Sequence, residues 1–211
     1  MKINYENKML EIIHTVENST VKPTLLLHSC CAPCSSAVIE YLLNFFEITI
    51  FFYNPNITDE MEYIKRRDEH LEFIKNNNLA LSFIEGKYDT AKDFFQLVKG
   101  MEKVPEGGER CTLCYDRRMR ETALKASELN FNYFSTVLSI SPLKNSQKIN
   151  MIGEKLEQDT GIKYLYGDFK KKGRYLRSIE LSKQNDLYRQ DYCGCIFSKL
   201  EREAIKKCDT I

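Results

Sequence analysis

The sequence predicts an α/β fold in which a parallel, doubly wound Rossmann-like sheet is flanked by helices. Short apolar runs rich in β-branched and aromatic residues alternate along the chain with amphipathic segments of helix length. The chain has 211 residues, 43% hydrophobic and 29% charged, which is ordinary for a globular protein with one core. Neither a repeat nor a long linker is present. We therefore expect a single α/β domain over 1–211.

The predicted elements follow one another in the order of such a fold. The strands are expected at 24–28, 47–53, 79–84, 132–140 and 163–166. The helices are expected at 35–46, 59–77, 90–99, from Cys111 onward, at 145–160 and over much of the remainder. Ser35 or Ser36 is expected to cap the first of these helices, and one face of the second is expected to contain Met61, Ile64, His70 or Leu71, and Ile74.

Three predicted strands end in polar or cysteine-rich loops. Cys30–Cys34 follow the first strand, Asn54-Pro55-Asn56 the second, and Ser141-Pro142 with Lys144 the fourth. In a parallel sheet the carboxyl ends of the strands lie at one edge, and ligands bind there. The sequence therefore predicts that these loops line one pocket.

The eight cysteines are unevenly spaced. Seven of them form three motifs, and Cys208 stands alone near the end; the seven are Cys30, Cys31 and Cys34, then Cys111 and Cys114, then Cys193 and Cys195. The first residues do not have the pattern of a secretory signal, and no window is apolar enough for a membrane span, so we expect a cytoplasmic protein with no membrane association. In that reducing compartment, clustered cysteines favour metal ligation or redox chemistry over structural disulfides.

The first two motifs are typical of thiolate ligands to a soft metal, either an iron–sulfur cluster or zinc. Adjacent Cys30 and Cys31 favour a cluster, because neighbouring side chains are expected to point apart and seldom chelate one ion. Cys193 and Cys195 flank a glycine, and a disulfide in so short a loop would be strained and easily reduced. We therefore favour a redox-active pair there, with further metal ligation as the alternative.

The C-terminal segment 163–211 is expected to be helical and basic, and it carries the CGC motif. Between Lys163 and Arg189 there are eight cations and three anions, although the net charge of the chain is only +1. A local basic face can bind phosphate, although a solvated helix face would have the same composition. Neither GxGxxG nor GxxxxGK[ST] occurs, so the sequence does not imply ATP.

Five segments between residues 24 and 198 combine into a specific pattern: LLLHSCCAPCSS (25–36), FFYNPNI (51–57), ERCTLCYDRRM (109–119), TVLSISPLKN (136–145) and FKKKGRYLRSIELSKQNDLYRQDYCGCIFS (169–198). With their CCxPC, RCxxCYxxR and YRQxYCGC motifs, they resemble the QueH family of epoxyqueuosine reductases. The resemblance implies a sheet similar to that of the adenine-nucleotide α-hydrolases (the HUP type). It also implies reduction of epoxyqueuosine to queuosine at the wobble position of tRNA, the last step of queuosine biosynthesis.

The resemblance also implies roles for the cysteines. Cys30, Cys31, Cys111 and Cys114 would bind a [4Fe-4S] cluster, and Cys193 with Cys195 would form a redox-active disulfide. Cys34 would instead ligate an additional mononuclear iron. Asp116 and Tyr115 are candidate proton donors because they follow Cys114 directly, and helix packing is the alternative role for both.

The implied partner is a tRNA carrying epoxyqueuosine in its anticodon, and the electron donor is not implied. Phosphate contacts are expected from basic side chains and base stacking from tyrosines. These candidates are Lys170, Lys171, Lys172, Arg174, Arg177, Arg117, Arg118, Tyr53 and Tyr175. Two other classes of function remain open from the residues alone: a zinc-stabilised RNA-binding module without catalysis, and a thiol–disulfide oxidoreductase.

Overall fold

The computed structural model describes residues 3–208 and, of Cys208, the backbone alone. Within these residues five parallel strands form one sheet in the order β3-β2-β1-β4-β5. The strands are β1 Thr24–His28, β2 Glu47–Phe52, β3 Ser82–Glu85, β4 Tyr133–Thr136 and β5 Lys163–Tyr164. The predicted parallel α/β class is therefore confirmed.

Helices cover both faces of the sheet. They are α1 Tyr5–Val16, α2 Ala32–Leu42, α3 Glu60–Asn76, α4 Glu109–Glu128, α5 Ser146–Thr160, α6 Arg174–Gln184 and α7 Ile196–Cys208. Strand β1 shows how the faces are assigned: Leu25 and Leu27 pack with α1 and α2, whereas Leu26 packs with α4 and α5. This strict alternation buries both faces, as expected for a parallel sheet.

Strand β1 lies at the point where the connections of the sheet change direction. It pairs with β2 on one side and with β4 on the other, both in parallel. A ligand site is expected beyond the carboxyl end of a strand in this position. Cys30 and Cys31 follow β1 after a single residue, so the first cysteine motif lies at that point.

Several predicted boundaries were wrong. Helix α2 begins at Ala32 with Cys31 at its N-cap, and Ser35 donates its hydroxyl to the Cys31 carbonyl instead of capping the helix. Strand β4 ends at Thr136, whose hydroxyl accepts from the Leu138 N–H and starts a 3-10 turn over Val137–Ile140. The helix expected at 90–99 is one π-helical turn, Ala91–Phe95.

The boundaries of α3 and α5 agree with the prediction because both helices begin at a capping side chain. Asp59 accepts hydrogen bonds from the N–H groups of Met61 and Glu62, and Asn145 caps α5 in the same way. The expected face of α3 was wrong at Met61, which is 73% exposed, whereas His70 is buried and Ile64 and Ile74 are partly buried. Among the described helices, none has the length and apolar character needed to cross a membrane.

Helix α5 packs tightly on β5 at Gly153. A Cβ added there would lie 2.2 Å from the ring of Tyr164, which is buried between the sheet and α5. This close approach matters for the site because α5 also packs along α4, which carries the second cysteine motif.

We predict that Gly153→Ala destabilises the protein. Alanine would gain about 1 kcal/mol in helix propensity, but overpacking against a ring that cannot move costs about 1–3 kcal/mol. Urea unfolding should therefore show a net loss in the free energy of unfolding. Gln158→Ala, an exposed change in the same helix, serves as the control. A Gly153→Ala variant as stable as the unchanged protein would contradict the packing described here.

Candidate metal centre and its cavity

Each of the three cysteine motifs lies at the N-terminus of a helix. Cys31 is the N-cap of α2, Cys111 lies in the first turn of α4, and Cys195 directly precedes α7. The N–H of Ser198 donates to Cys195 Sγ at 3.4 Å, as to a capping side chain. Helix N-termini carry partial positive charge and stabilise thiolates. The fold therefore directs three such termini toward the cysteines.

The first motif forms a buried group of three thiols. The Sγ atoms of Cys30, Cys31 and Cys34 all lie within 4.8 Å of one another, and those of Cys30 and Cys31 are 3.8 Å apart. The expectation that neighbouring cysteine side chains point apart was therefore wrong. The two thiols approach each other because the backbone of Cys31 is extended (φ −177°, ψ 159°) at the turn into α2. An all-sulfur donor set of this kind suits a thiophilic metal.

The second and third motifs meet each other in a narrow cleft lined by Cys111, Cys114, Cys193 and Cys195. Cys193 also lines a larger cavity of about 330 Å³ together with Cys30 and Cys34. Cys30 and Cys111 thus approach the carboxyl edge of the sheet from its two faces, with Cys193 between them. All seven described thiols are free.

Arg118 is a buried cation of this region that has no carboxylate partner among residues 3–208. Its side chain is fully buried on α4, where Nε donates to the Cys114 carbonyl and Nη1 to Oδ1 of Asn54 at 3.4 Å. Nη2 has no partner, and within residues 3–208 no carboxylate lies within ion-pair distance of the guanidinium. Thiolate charge, chiefly that of Cys114, raises its pKa against the effect of burial. Negative charge on the cysteines would therefore be stabilised by this cation.

The thiols of the site differ in the direction in which their pKa values are shifted. Hydrogen bonds from the Cys31 and Cys34 thiols hold the pKa of Cys30 well below its usual range. The same bonding raises the pKa of Cys31 to about 12 and that of Cys34 as well. Burial raises the pKa of Cys114 to about 11 and that of Cys195 to about 12. Metal binding would therefore release protons from this site.

Side chains from other elements hold the cysteine loops in place. Asn54 donates its amide to the Ser29 carbonyl at 2.8 Å, so that the same side chain contacts both the loop after β1 and Arg118. Gln190 donates to Cys31 Sγ at 2.9 Å. Buried Arg66 donates to the Cys193 carbonyl at 3.2 Å and is paired with Glu62. Such supporting contacts orient metal ligands.

The CGC loop requires its glycine. Gly194 has φ +117°, and a Cβ there would lie 2.9 Å from the Ile57 side chain. The Thr58 N–H donates to the Gly194 carbonyl, which joins the loop to the segment after β2. The glycine therefore places Cys193 and Cys195 against the rest of the site.

The large cavity confirms the predicted convergence for two of the three loops. Cys30, Ser141, Pro142 and Lys144 all line it, as do residues 189–193, whereas Asn56 of the third loop lines the narrow cleft instead. The Lys144 side chain faces the thiols, whose charge raises its pKa, led by that of Cys193. Within the described part of the chain its ammonium has no hydrogen-bond or ion-pair partner.

The structure contradicts three of the expected tRNA contacts, because their side chains are buried. Arg118 faces the cysteines, Arg174 is paired with buried Glu6, and Tyr53 is 3% exposed and stacks on Phe51. A phosphate or a flipped-out base cannot reach a side chain enclosed by the core. All three therefore belong to the interior of the protein.

Asp116 does not line the cavity. Its carboxylate pairs with Arg120, which also contacts Asp159 of α5. Asp116 therefore faces α5, on a different side of α4 from Cys114, and the expectation of a proton donor there is corrected. Tyr115 does line the cleft with Cys111 and Cys114.

The remaining cationic candidates are at least partly exposed. Lys170 and Lys171 contact Asp168, and Lys172 is exposed. Arg177 pairs with Glu40 and Glu180, and Arg117 with Asp93 and Glu121. Tyr175 is half-buried in the wall of the cavity. The side chain of Cys208 lies outside the described residues.

Sequence reasoning did not assign roles to Asn54, Gln190, Arg66 or Lys144. Two signals pointed to part of this set. Asn54 and Lys144 lie in loops that follow strand ends, and Gln190 lies within the YRQxYCGC motif. Arg66 had no such signal, because its burial depends on the face of α3 that packs inward.

The chain is similar to known proteins along most of its length. The family model described as "Epoxyqueuosine reductase QueH" matches residues 25–201. A protein of that name from Streptococcus pyogenes serotype M1 is 42% identical over 93% of this chain and 78% of its own length. Those from Acinetobacter baylyi and Thermotoga maritima are 44% and 38% identical, over 82% and 85% of this chain and 79% and 92% of their own lengths.

We predict that buried His70 makes the apo-protein sensitive to mild acid. His70 Nε2 bonds to Ser35 Oγ, and burial lowers its pKa to about 4, well below that of an unfolded chain. The unfolded state therefore binds the proton first, and stability falls as the pH drops below about 6.5. Between pH 7 and pH 5, His70 should account for a loss of about 2 kcal/mol.

The check is urea unfolding of unchanged protein and His70→Gln at both pH values. The variant should lose about 2 kcal/mol less than the unchanged protein on acidification. His14→Gln, which removes an exposed imidazole, is the control. Equal losses in the unchanged protein and the His70 variant would contradict the prediction.

Proposed function

The chain belongs to the QueH family of epoxyqueuosine reductases, and we propose that its converging cysteines carry the reduction of epoxyqueuosine to queuosine in tRNA. The observation that supports this most directly is the meeting of all three cysteine motifs at the carboxyl edge of the sheet, beside an open cavity. We further propose that the chain acts in the cytoplasm and as one domain. The segment from residue 163 onward supplies Cys193 and Cys195 to a site begun by Cys30.

We propose that Cys30, Cys31, Cys111 and Cys114 hold a [4Fe-4S] cluster. Four cysteine thiolates are the usual ligands of such a cluster, one for each iron. The set lies at two helix N-termini and beside Arg118, which suits a cofactor of net negative charge. The third thiol of the first motif, Cys34, would remain for an additional mononuclear iron.

The reaction needs two electrons and two protons, because the epoxide loses its oxygen as water and its two carbons become an alkene. The cluster, when bound, would supply the electrons at the cavity. The protein supplies the rest: the cavity wall positions the modified base, and Cys30, Cys34 and Cys193 mark the end where the epoxide would lie. The cavity opens to solvent, which can supply the protons.

We propose that Cys193 and Cys195 act as a redox pair in this reaction. Cys193 is half-buried in the wall shared by the cavity and the cleft, while Cys195 is buried behind it. This arrangement would place one thiol at the reacting groups and its partner behind it. Reduction of a disulfide between them would return both thiols to the free form.

The tRNA is proposed to lie across the lysine turn before α6. Lys170, Lys171 and Lys172 precede Tyr175, which lines the cavity, and Lys170 Nζ donates to the Lys144 carbonyl at 3.2 Å. The basic turn and the cavity loop are thus directly joined. Phosphates bound by these lysines and by Arg177 would hold the anticodon at the cavity. Arg117 is proposed as a more distant contact.

The activity test is incubation of anaerobically reconstituted protein with epoxyqueuosine-containing tRNA and a low-potential chemical reductant. The nucleoside should lose one oxygen atom by mass. A colourless protein with stoichiometric zinc and no turnover would instead support an RNA-binding module. A metal-free protein that reduces protein disulfides would support a thiol–disulfide oxidoreductase. Membership of the reductase family does not favour either alternative.

We predict that Cys111→Ser abolishes both cluster binding and turnover. A serine hydroxyl is a poor ligand for iron, and removing one of four thiolates leaves one iron without its protein ligand. Iron and sulfide content and visible absorbance should fall together with nucleoside reduction. Cys208→Ser, which changes a cysteine outside the three motifs, is the matched control. An active, fully iron-loaded Cys111→Ser protein would refute the assignment.

We predict a different outcome for Cys195→Ser. If Cys193 and Cys195 form a redox pair, this variant should keep its full iron and sulfide content but lose turnover. If Cys195 is instead a ligand, iron content should fall as in Cys111→Ser. Iron analysis beside a single-turnover assay separates the two roles, and full turnover by the variant would exclude both.

A further inference from the structure

The large cavity has one cationic side chain whose donor groups are uncommitted. Arg189 also lines the cavity, but it donates to the Ser178 carbonyl and the Ser182 hydroxyl. Arg118 lies beneath the cysteines and is bonded to Asn54. Within the described part of the chain, the Lys144 ammonium has neither a hydrogen bond nor an ion pair.

The backbone of Lys144 is fixed although its ammonium is not. Its N–H donates to the Ser141 carbonyl at 3.2 Å, and its carbonyl accepts from Lys170 Nζ at 3.2 Å. The turn between β4 and α5 is thus tied at both ends, and the side chain enters the cavity from a defined point. Lys144 is partly exposed in the wall of this open cavity, so its ammonium can donate hydrogen bonds to a molecule that enters.

The neighbours of the ammonium indicate what that ligand is. Cys30, Cys34 and Cys193 line the same cavity, so a group delivered to these thiols also comes to Lys144. We propose that Lys144 is a catalytic residue whose ammonium donates a hydrogen bond to the epoxide oxygen of the substrate. This inference rests on the proposed epoxyqueuosine reduction. It identifies the side chain that stabilises the negative charge developing on the epoxide oxygen.

The chemistry requires such a donor. As the first carbon–oxygen bond breaks, the electrons of that bond leave negative charge on the oxygen. A cation at that point, carried on a backbone that is itself held in place, stabilises the charge. Two electrons arrive from a low-potential donor through the reductase, and two protons arrive from solvent through the open cavity. Both carbon–oxygen bonds break, the alkene forms and the oxygen leaves as water, while Lys144 keeps its proton.

The test compares holoenzymes carrying Lys144→Met, Lys144→Arg and Lys163→Met. Met removes the charge at similar length, and Arg keeps it. Lys163→Met removes an exposed cation from β5 at the opposite, amino end of the sheet, and it is the control. Each protein is measured for iron and sulfide content, for single-turnover rate at saturating substrate tRNA, and for affinity toward epoxyqueuosine-tRNA and queuosine-tRNA.

The expected result is a loss of about 10²-fold in the single-turnover rate of Lys144→Met. Its iron content and its affinity for queuosine-tRNA, which lacks the oxygen, should be unchanged. The preference of the unchanged enzyme for the epoxide over the product should disappear in Lys144→Met. Lys144→Arg should retain more of the rate than Lys144→Met, and Lys163→Met should behave as the unchanged enzyme.

Three outcomes would overturn the inference. If Lys144→Met binds both tRNAs more weakly by the same factor and keeps its rate at saturating tRNA, Lys144 is a phosphate contact. Loss of iron would assign it to holding the cofactor, and an unchanged Lys144→Met enzyme would leave it without a role in the reaction. If the unchanged protein reduces no epoxyqueuosine, the proposed function fails by itself. The ratio of the two tRNA affinities still decides whether Lys144 contacts the epoxide.

Discussion

The site depends on compensating negative charge where water is largely excluded. Cys30, Cys31 and Cys114 are buried, and a thiolate in such surroundings is unstable unless positive charge lies close by. The fold provides it from the backbone, through the N-termini of α2, α4 and α7, and from side chains that include Arg118 and Lys144. The Arg118 guanidinium lacks a carboxylate partner among the described residues, so it can stabilise negative charge on the cysteines.

This constraint explains why the parts of the site come from distant regions of the chain. A single helix N-terminus carries only about half a unit charge. A parallel sheet directs the chain from each strand's carboxyl end into a helix, so that several helix N-termini lie near one edge. Asn54 then joins two of these regions, because its amide bonds to the loop before α2 and its carbonyl oxygen accepts from Arg118 on α4. The helix N-termini and Arg118 supply positive charge to the cysteines, and hydrogen bonds such as those of Asn54 hold these groups in position.

The sequence was informative wherever a local pattern determines local structure. Apolar, β-branched and aromatic runs predicted β1 and β2, and helical patterns predicted α3 and α5, whose starts are set by the caps Asp59 and Asn145. The sequence failed where one side-chain contact or the packing of the fold decides. The run after Tyr133 has strand composition, yet the Thr136 hydroxyl captures the Leu138 N–H and starts a 3-10 turn. Met61 fits an apolar helix face, yet α3 turns Arg66 and His70 inward to support the cysteine loops.

In the candidate site, too, local patterns were informative and burial was not predictable. Spacing identified the cysteines because the motifs are local, whereas a basic composition could not separate surface cations from buried ones. Arg117 and Arg118 are neighbours in sequence, yet the first is partly exposed beside Asp93 and the second is enclosed by the core. Only the direction of α4 distinguishes them. Its place after a strand put Lys144 in a pocket loop, but a single lysine in a turn has no pattern that assigns it a role.

The position of Cys193 in the wall between cavity and cleft has a consequence for assembly in the cell. The ribosome releases the first two cysteine motifs long before it releases the third, since synthesis proceeds from the N-terminus. Until the CGC loop reaches Ile57 and Arg66, one side of the thiol site has no cover. A nascent chain would thus present reactive sulfur to oxidants and to stray zinc. The CGC loop, which is synthesised last, therefore completes the enclosure of the thiols.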